Sequence, residues 1–379
     1  MVCVIFYSEN APKRHSGLNS EPGHVISEGT LYPSFVPHVH HSSILGIRCN
    51  PNNTRCPLQR RSRYQVRSRT HRRAAVTMSW KPIGLLQEAV ELKKIEVELM
   101  ESTLSERPDH PINLCRSFYA QQSSHHFSKA LRRRDGTLAV VAAMKRFQAP
   151  RPGETAVKIA DLEDIAREAR ALSTSGVDAA LVYTDSLRFG VETSELTKIA
   201  RLQRVSNVDP GMPIARQDLI IDAVQIAEAA VAGATAVNIV AAAALPEIME
   251  LMNSATSMGI ESIIECHTEL ERDFAMECGA TMLYLTNWDR TRNKLVPGTA
   301  ERLIEAVPPW VLTMGGGGLT TASDCWSLLD AGFNGVVLGT ALLQTQRPRG
   351  FISEIRSQKR HSGNIFAGDM GVPFSENTE

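Results

Sequence analysis

The chain has 379 residues, room for one domain of about 250 residues with extensions at both ends. Hydrophobic residues make up 43% and charged residues 22%, an ordinary globular balance, and no apolar run approaches the roughly 18 residues of a membrane span. The net charge of zero hides a division: residues 1–78 carry 11 Lys+Arg against 3 Asp+Glu, and the remainder carries 30 against 38, so the body is mildly acidic, which argues against a nucleic-acid-binding surface.

Residues 1–78 are rich in Ser, His, Pro and Arg. They include Arg60-Arg61-Ser62-Arg63 and His71-Arg72-Arg73-Ala74-Ala75-Val76. An Arg- and Ser-rich, acid-poor leader is expected to be an organelle transit peptide removed near Ala75–Met78, with a disordered basic tail as the alternative. His38, His40 and His41 belong to this composition rather than to a metal site. The seven cysteines, Cys3, Cys49, Cys56, Cys115, Cys266, Cys278 and Cys325, are odd in number and widely spaced. They suggest neither a disulfide framework nor zinc, and point to a reducing compartment.

Residues 79–135 are expected to form a helical extension. Leu85, Leu86, Val90, Leu92, Ile95, Val97 and Leu99 recur at helical spacing among Glu and Lys over residues 82–105, which predicts one or two amphipathic helices. Another helix is expected within 113–134, containing Phe127 and Leu131. From 136 to 357 a strand–helix rhythm takes over. Short apolar runs begin near Leu138, Ala179, Met212, Ala236, Glu261, Met282, Trp310 and Gly335. The helical stretches between them include Ile159–Leu172, Ala223–Ala232, Leu245–Met258, Glu269–Cys278 and Ala322–Ala331. Gly176, Gly233, Gly259, Gly279 and Gly332 close five helices, where glycine supplies a left-handed cap. Eight uniformly apolar strands alternating with helices predict a parallel sheet buried on both faces. The fold expected is α/β, a (β/α)8 TIM barrel with an N-terminal helical extension, and a doubly wound sheet is its rival. Residues 358–379 are polar and expected to be a flexible tail.

Functional groups of such a barrel gather at the C-terminal ends of its strands. Those ends hold Lys145 and Arg146, Thr184 and Asp185, Arg216 to Asp218, Glu265 and His267, Thr286 to Asp289, Gly315 to Gly318, and Gly339 and Thr340. Gly315-Gly316-Gly317-Gly318 after the seventh strand and Gly339-Thr340 after the eighth predict a phosphate site, because glycines let backbone N–H groups approach the oxygens. A flexible turn is the bland alternative for the glycine run.

These residues resemble indole-3-glycerol phosphate synthase. The resemblance rests on Ala142-Ala143-Met144-Lys145-Arg146, Val182-Tyr183-Thr184-Asp185 with Phe189-Gly190, Ile214-Ala215-Arg216-Gln217-Asp218, Ile264-Glu265-Cys266-His267, Gly318-Leu319 and Gly332-Phe333-Asn334-Gly335 to Gly339. It runs from about Leu85 to Gln344. It implies closure of an indole ring on a carboxyphenylamino-deoxyribulose phosphate, with loss of carbon dioxide and water. By this resemblance Lys145 and Glu265 are the catalytic candidates. Phe189, Gly318, Gly339 and Thr340 contact substrate or phosphate, with Arg216 or Arg151 replacing a lost cation. No metal or cofactor is implied. The expected partner is a phosphorylated small molecule, with no nucleic acid and no membrane, and any protein partner is unspecified. The resemblance also places the chain in the chloroplast stroma.

Several family positions are changed. Ala143 stands where the family has Glu, and Gln217 where it has the Lys proposed as general acid. Thr286-Asn287-Trp288 replaces Asn-Asn-Arg, and Tyr284 replaces the glycine before them. Gly316-Gly317-Gly318 replaces Glu-Ser-Gly, and Ala149-Pro150-Arg151 replaces Ser-Pro-Ser. An amide donates no proton at neutral pH, and loss of one positioned acid costs about 10²–10⁴-fold in rate. Reduced or absent synthase activity is therefore expected. An active enzyme needs Lys145 and Glu265 close together under an open pocket. A non-catalytic binding or structural protein on the same barrel predicts a pocket blocked by Tyr284 or Trp288. His267 is expected to be a supporting or surface group.

Overall fold

The structure is a computed structural model that describes residues 82–117, 125–148, 155–205 and 211–360. The leader at 1–78, Arg151 and all of the tail beyond residue 360 lie outside the described residues. Eight parallel strands close into a barrel: β1 Ala139–Met144, β2 Ala179–Tyr183, β3 Ile214–Gln217, β4 Ala236–Val240, β5 Glu261–Cys266, β6 Met282–Thr286, β7 Leu312–Gly316 and β8 Gly335–Leu338. Each strand pairs with its neighbours in chain order, and β8 closes on β1 through Ala139↔Gly335 to Ala142↔Leu338. All eight strands lie where apolar runs predict them. Gly176, Gly233, Gly259, Gly279 and Gly332 all have positive φ at helix ends.

Strand parity sorts the side chains into two layers. Val141 and Ala143, Leu181 and Tyr183, Ala215, Ile263, Tyr284, Met314 and Val337 fill the barrel interior. The alternating residues Val140, Ala142, Met144, Ile264, Cys266 and Leu285 pack against the surrounding helices. Period-two alternation carries the same sorting to the strand ends. Lys145, Gln217, Glu265 and Gly339 continue the inward set, and Arg216 continues the outward one.

The N-terminal extension covers both ends of the barrel. The expected helix or helices over 82–105 form one, α1 (Leu85–Ser105). The helix expected within 113–134 is divided between α2 (Pro111–Ser117) and α3 (His126–Leu131). Phe127 and Leu131 of α3 plug the bottom of the barrel, and Glu261 at the start of β5 accepts hydrogen bonds from the Phe127 and Ser128 N–H groups. At the other end Leu86, Ala89 and Val90 of α1 pack on Leu219, Val240, Ala242 and Ala243. Lys93 anchors this contact. It is 4% exposed and pairs with Asp218 at 3.1 Å.

Candidate active site

A cavity of about 690 Å3 opens at the C-terminal mouth of the barrel, roofed on one side by Leu85, Leu86, Glu88, Ala89 and Leu92 of α1. Its size is that of a small-molecule site, about 300–1,000 Å3. Ala143, Lys145, Phe189, Gln217, Thr286, Gly317, Gly318, Gly339 and Thr340 line it, together with the cations Arg188 and Arg290. Tyr284 and Trp288 belong to the wall and do not block the cavity. The blocked pocket expected of a non-catalytic binding or structural protein is therefore not what the fold builds.

Glu265 lies beneath the cavity floor, 2% exposed. Arg290 grips both its carboxylate oxygens, Nε to Oε1 at 2.5 Å and Nη2 to Oε2 at 2.9 Å. Asn238 Nδ2 and Gln217 Nε2 donate to Oε2 at 2.8 and 3.3 Å. Glu265 thus faces donors from β3, β4 and the loop after β6. A two-pronged guanidinium–carboxylate contact fixes orientation as well as charge. Burial works against the Arg290 charge, and the Glu265 carboxylate more than offsets it, so the guanidinium pKa is raised. Because both amides point their nitrogens at the carboxylate, their oxygens face away. Gln217 Oε1 and Asn238 Oδ1 are buried without a hydrogen-bond partner.

Arg290 is the functional residue that sequence reasoning missed. It follows Trp288 by two positions and lies in a turn. A small hairpin, Trp288–Asp289 against Lys294–Leu295, presents it. Asp289 Oδ1 holds the turn by accepting from Thr291 N–H, Thr291 Oγ1 and Arg292 N–H. The available signal was an arginine next to Asp289, two residues after the place where the family carries its own.

Lys145 does not pair with Glu265. Its Nζ donates to Gln148 Oε1 at 2.9 Å and lies over the Tyr183 and Phe189 rings, 5.1 and 5.7 Å from their centroids. Burial and then the neighbouring Arg290 charge lower its pKa to about 8, against the pull of Glu265. Burial pushes the Tyr183 hydroxyl up to about 12.

Arg216 is not a ligand group. Parity turns it toward the helices, where Nη1 meets Glu228 at 2.5 Å and the Gln225 carbonyl at 3.0 Å, Nη2 meets Asp218 at 3.0 Å, and Nε meets Thr184 Oγ1 at 3.0 Å. This corrects its expected role, because Gln217, not Arg216, continues the inward row from Ala215. Asp218 is likewise structural. Burial opposes its charge, and Arg216 and Lys93 hold its pKa down to about 2. Arg146 is spent on Glu195 and on the Leu162 and Gly190 carbonyls. His267 Nδ1 lies 2.9 Å from the Thr286 carbonyl oxygen, a supporting contact as expected.

At the glycine corner Gly318 has φ +77, and a Cβ there would stand 2.6 Å from Leu295 Cδ2. The positive φ favours glycine there, and any side chain would have to displace the end of Leu295. Among the described residues, neither Gly318 nor Thr340 gives its backbone N–H to another backbone carbonyl. Both line the cavity.

The family model for indole-3-glycerol phosphate synthase matches residues 86–355. The indole-3-glycerol phosphate synthase of Opitutus terrae is 33% identical over 236 residues, covering 61% of this chain and 85% of that protein. The one from Chloroherpeton thalassium is 30% identical over 269 residues, covering 69% of this chain and 95% of that protein. Matched over most of its barrel and at the strand ends that build the cavity, this chain belongs to the indole-3-glycerol phosphate synthase family.

Proposed function

We propose that the cavity binds a phosphorylated, open-chain sugar derivative of the kind this family converts, and that ring closure in it is slow or lost. The observation that carries this reading is the state of Glu265. Its carboxylate is occupied by Arg290, Asn238 and Gln217 beneath the cavity floor. The residue beside it is an amide that cannot serve as an acid near neutrality. Ala143 adds no second carboxylate. The open cavity and the glycine corner support retained phosphate binding, with Gly318, Gly339 and Thr340 as the contacts.

The same sealed carboxylate favours a second reading, a non-catalytic binding protein on the family barrel. In both readings we place the protein in the plastid stroma: the composition of residues 1–78 supports an organelle leader, and the family resemblance favours the plastid. The test is turnover of carboxyphenylamino-deoxyribulose phosphate by protein lacking residues 1–78, followed by the fluorescence of the indole product, beside binding of the same compound measured by calorimetry. Binding without turnover supports the reading. Turnover at a normal biosynthetic rate, abolished by Glu265→Gln, overturns it. A fluorescent fusion to residues 1–78 that stays outside plastids removes the localisation.

A further inference from the structure

Lys145 is left without a task by a sealed Glu265. It follows β1, lines the cavity and lies over two aromatic rings. Among the described residues no carboxylate lies within ion-pair distance of it, and Gln148 Oε1 is its hydrogen-bond partner. Its Cε lies 3.8 Å from the position a Cβ on Gly339 would take, so the amine stands next to the glycine corner. The charged and titratable groups acting on it are Glu265 from β5 and Arg290 from the loop after β6, with the Tyr183 ring from β2 against it. A lysine amine desolvated among apolar groups and beside another cation is the type that attacks carbonyl carbons. An ordinary surface ammonium is held protonated by water and counter-charges.

We propose that Lys145 forms a reversible imine with the carbonyl carbon of a small phosphorylated oxo-sugar whose phosphate sits at Gly318, Gly339 and Thr340. This rests on the phosphate half of the function proposed above and is independent of ring closure. In the step, the lone pair of neutral Nζ forms a C–N bond as the carbonyl π pair moves to oxygen. A proton passes from nitrogen to that oxygen to give a carbinolamine. The C–O bond then breaks and the hydroxyl leaves with a second proton as water, so amine plus carbonyl gives imine plus water with no change of oxidation state. Protons exchange with solvent through the open mouth. The lowered basicity of the amine supplies an unprotonated fraction near neutrality.

The test uses dihydroxyacetone phosphate, which carries the carbonyl, the hydroxyl and the phosphate together. The full chain is incubated with it, reduced with cyanoborohydride and mapped by peptide mass. The exposed Lys94 serves as the internal control for non-specific reaction. The expected result is a reduced adduct on Lys145 well above that on Lys94. It should be suppressed by excess inorganic phosphate and by Thr340→Glu, and absent in Lys145→Arg, which keeps the charge and cannot form an imine. Thermal stabilisation by the same compound is read in parallel. Stabilisation with no adduct on Lys145 overturns the imine and leaves phosphate binding standing. Neither stabilisation nor adduct overturns both. An adduct on Lys145 that matches Lys94 and ignores phosphate also overturns the imine, because the reaction then owes nothing to the cavity.

Discussion

The Tyr284 hydroxyl stands 2.9 Å from the place a Cβ on Gly316 would occupy. A side chain at 316 would therefore press on Tyr284 and, at 3.0 Å, on Val337 Cβ and the Val337 carbonyl oxygen. The family pattern is the reverse, with glycine at the first position and glutamate at the second. The two changes read as one exchange across neighbouring strands, paired through Met314↔Tyr284 and Gly316↔Thr286. Gly316→Glu alone should destabilise the fold by about 1–3 kcal/mol, the usual cost of overfilling a packed interior. Tyr284→Gly with Gly316→Glu should recover part of that loss, with a coupling of about 0.5–3 kcal/mol. Denaturant midpoints of the two single variants and the double variant measure it, and simple additivity would mean that the positions are independent.

Gln217→Lys should restore an acid to the site. Its Nε2 already reaches Glu265 at 3.3 Å, so a lysine ammonium would find a carboxylate partner at the same place. If the missing acid limits ring closure, turnover should rise by about 10²–10⁴-fold, the usual worth of general acid catalysis. Adding Ala143→Glu should raise it further. If neither variant gains activity while both still bind the phosphate ligand, the grip of Arg290 on Glu265 is the controlling defect.

The barrel was legible because its signal is repeated. Eight buried strands cannot alternate polar and apolar residues, and helices ending at Gly176, Gly233 and Gly332 mark each return to the sheet. Lys145, Gly318 and Thr340 were legible through their places at strand ends, and Phe189 through the family resemblance alone. Arg290 was not, because its role depends on a hairpin turn held by Asp289, and nothing in the local sequence says which way that hairpin aims a side chain. Arg216 was misread for a related reason. It sits among functional positions in the chain, but a one-residue step on a strand reverses the face, and only the register with β2 and β4 shows which of Arg216 and Gln217 looks inward.

Thr340→Glu should separate phosphate binding from stability. Thr340 is exposed and opens the helix Thr340–Gln344, a position where an acidic side chain is tolerated. Its carboxylate would repel a phosphate held at Gly318 and Gly339. The melting temperature should hold, and affinity for inorganic phosphate or a sugar phosphate should fall by at least about tenfold, a loss of about 1.4 kcal/mol. Unchanged affinity would place the phosphate elsewhere in the cavity.

Lys145→Met should stabilise the protein at neutral pH. Lowering of the Lys145 pKa from 10.5 to about 8 means that the folded state resists protonation by about 3 kcal/mol. Between pH 8 and 10.5 the unfolded chain binds this proton and the folded chain does not, so stability rises with pH across that window. Below pH 8 the whole penalty is present. Methionine keeps the stem's packing without the charge. The variant should therefore unfold at higher urea than the parent at pH 7, and the difference should shrink toward pH 10. A less stable variant at pH 7 would show that the ammonium is well accommodated.

Lys93→Met should loosen the roof of the cavity. Burial opposes the Lys93 charge, and the Asp218, Glu96 and Asp185 carboxylates together more than offset it, so its pKa is raised. Removing the ammonium leaves Asp218, 3% exposed, with Arg216 as its cation. Breaking a buried pair on one side costs about 3–5 kcal/mol, and here the loss falls where α1 meets the barrel. Amides of Leu86–Val97 should exchange faster with solvent than those of β1 or β5, and ligand affinity should weaken because α1 roofs the cavity. Asp218 is held near 2, so its contribution is present above the ordinary carboxylate range and is lost as pH falls toward 2. Without Lys93 that loss should begin at higher pH. Parent and variant chains losing α1 protection at the same acid midpoint would show that Arg216 alone holds the carboxylate, and that apolar contacts from Leu86, Ala89 and Val90 are what keep the roof in place.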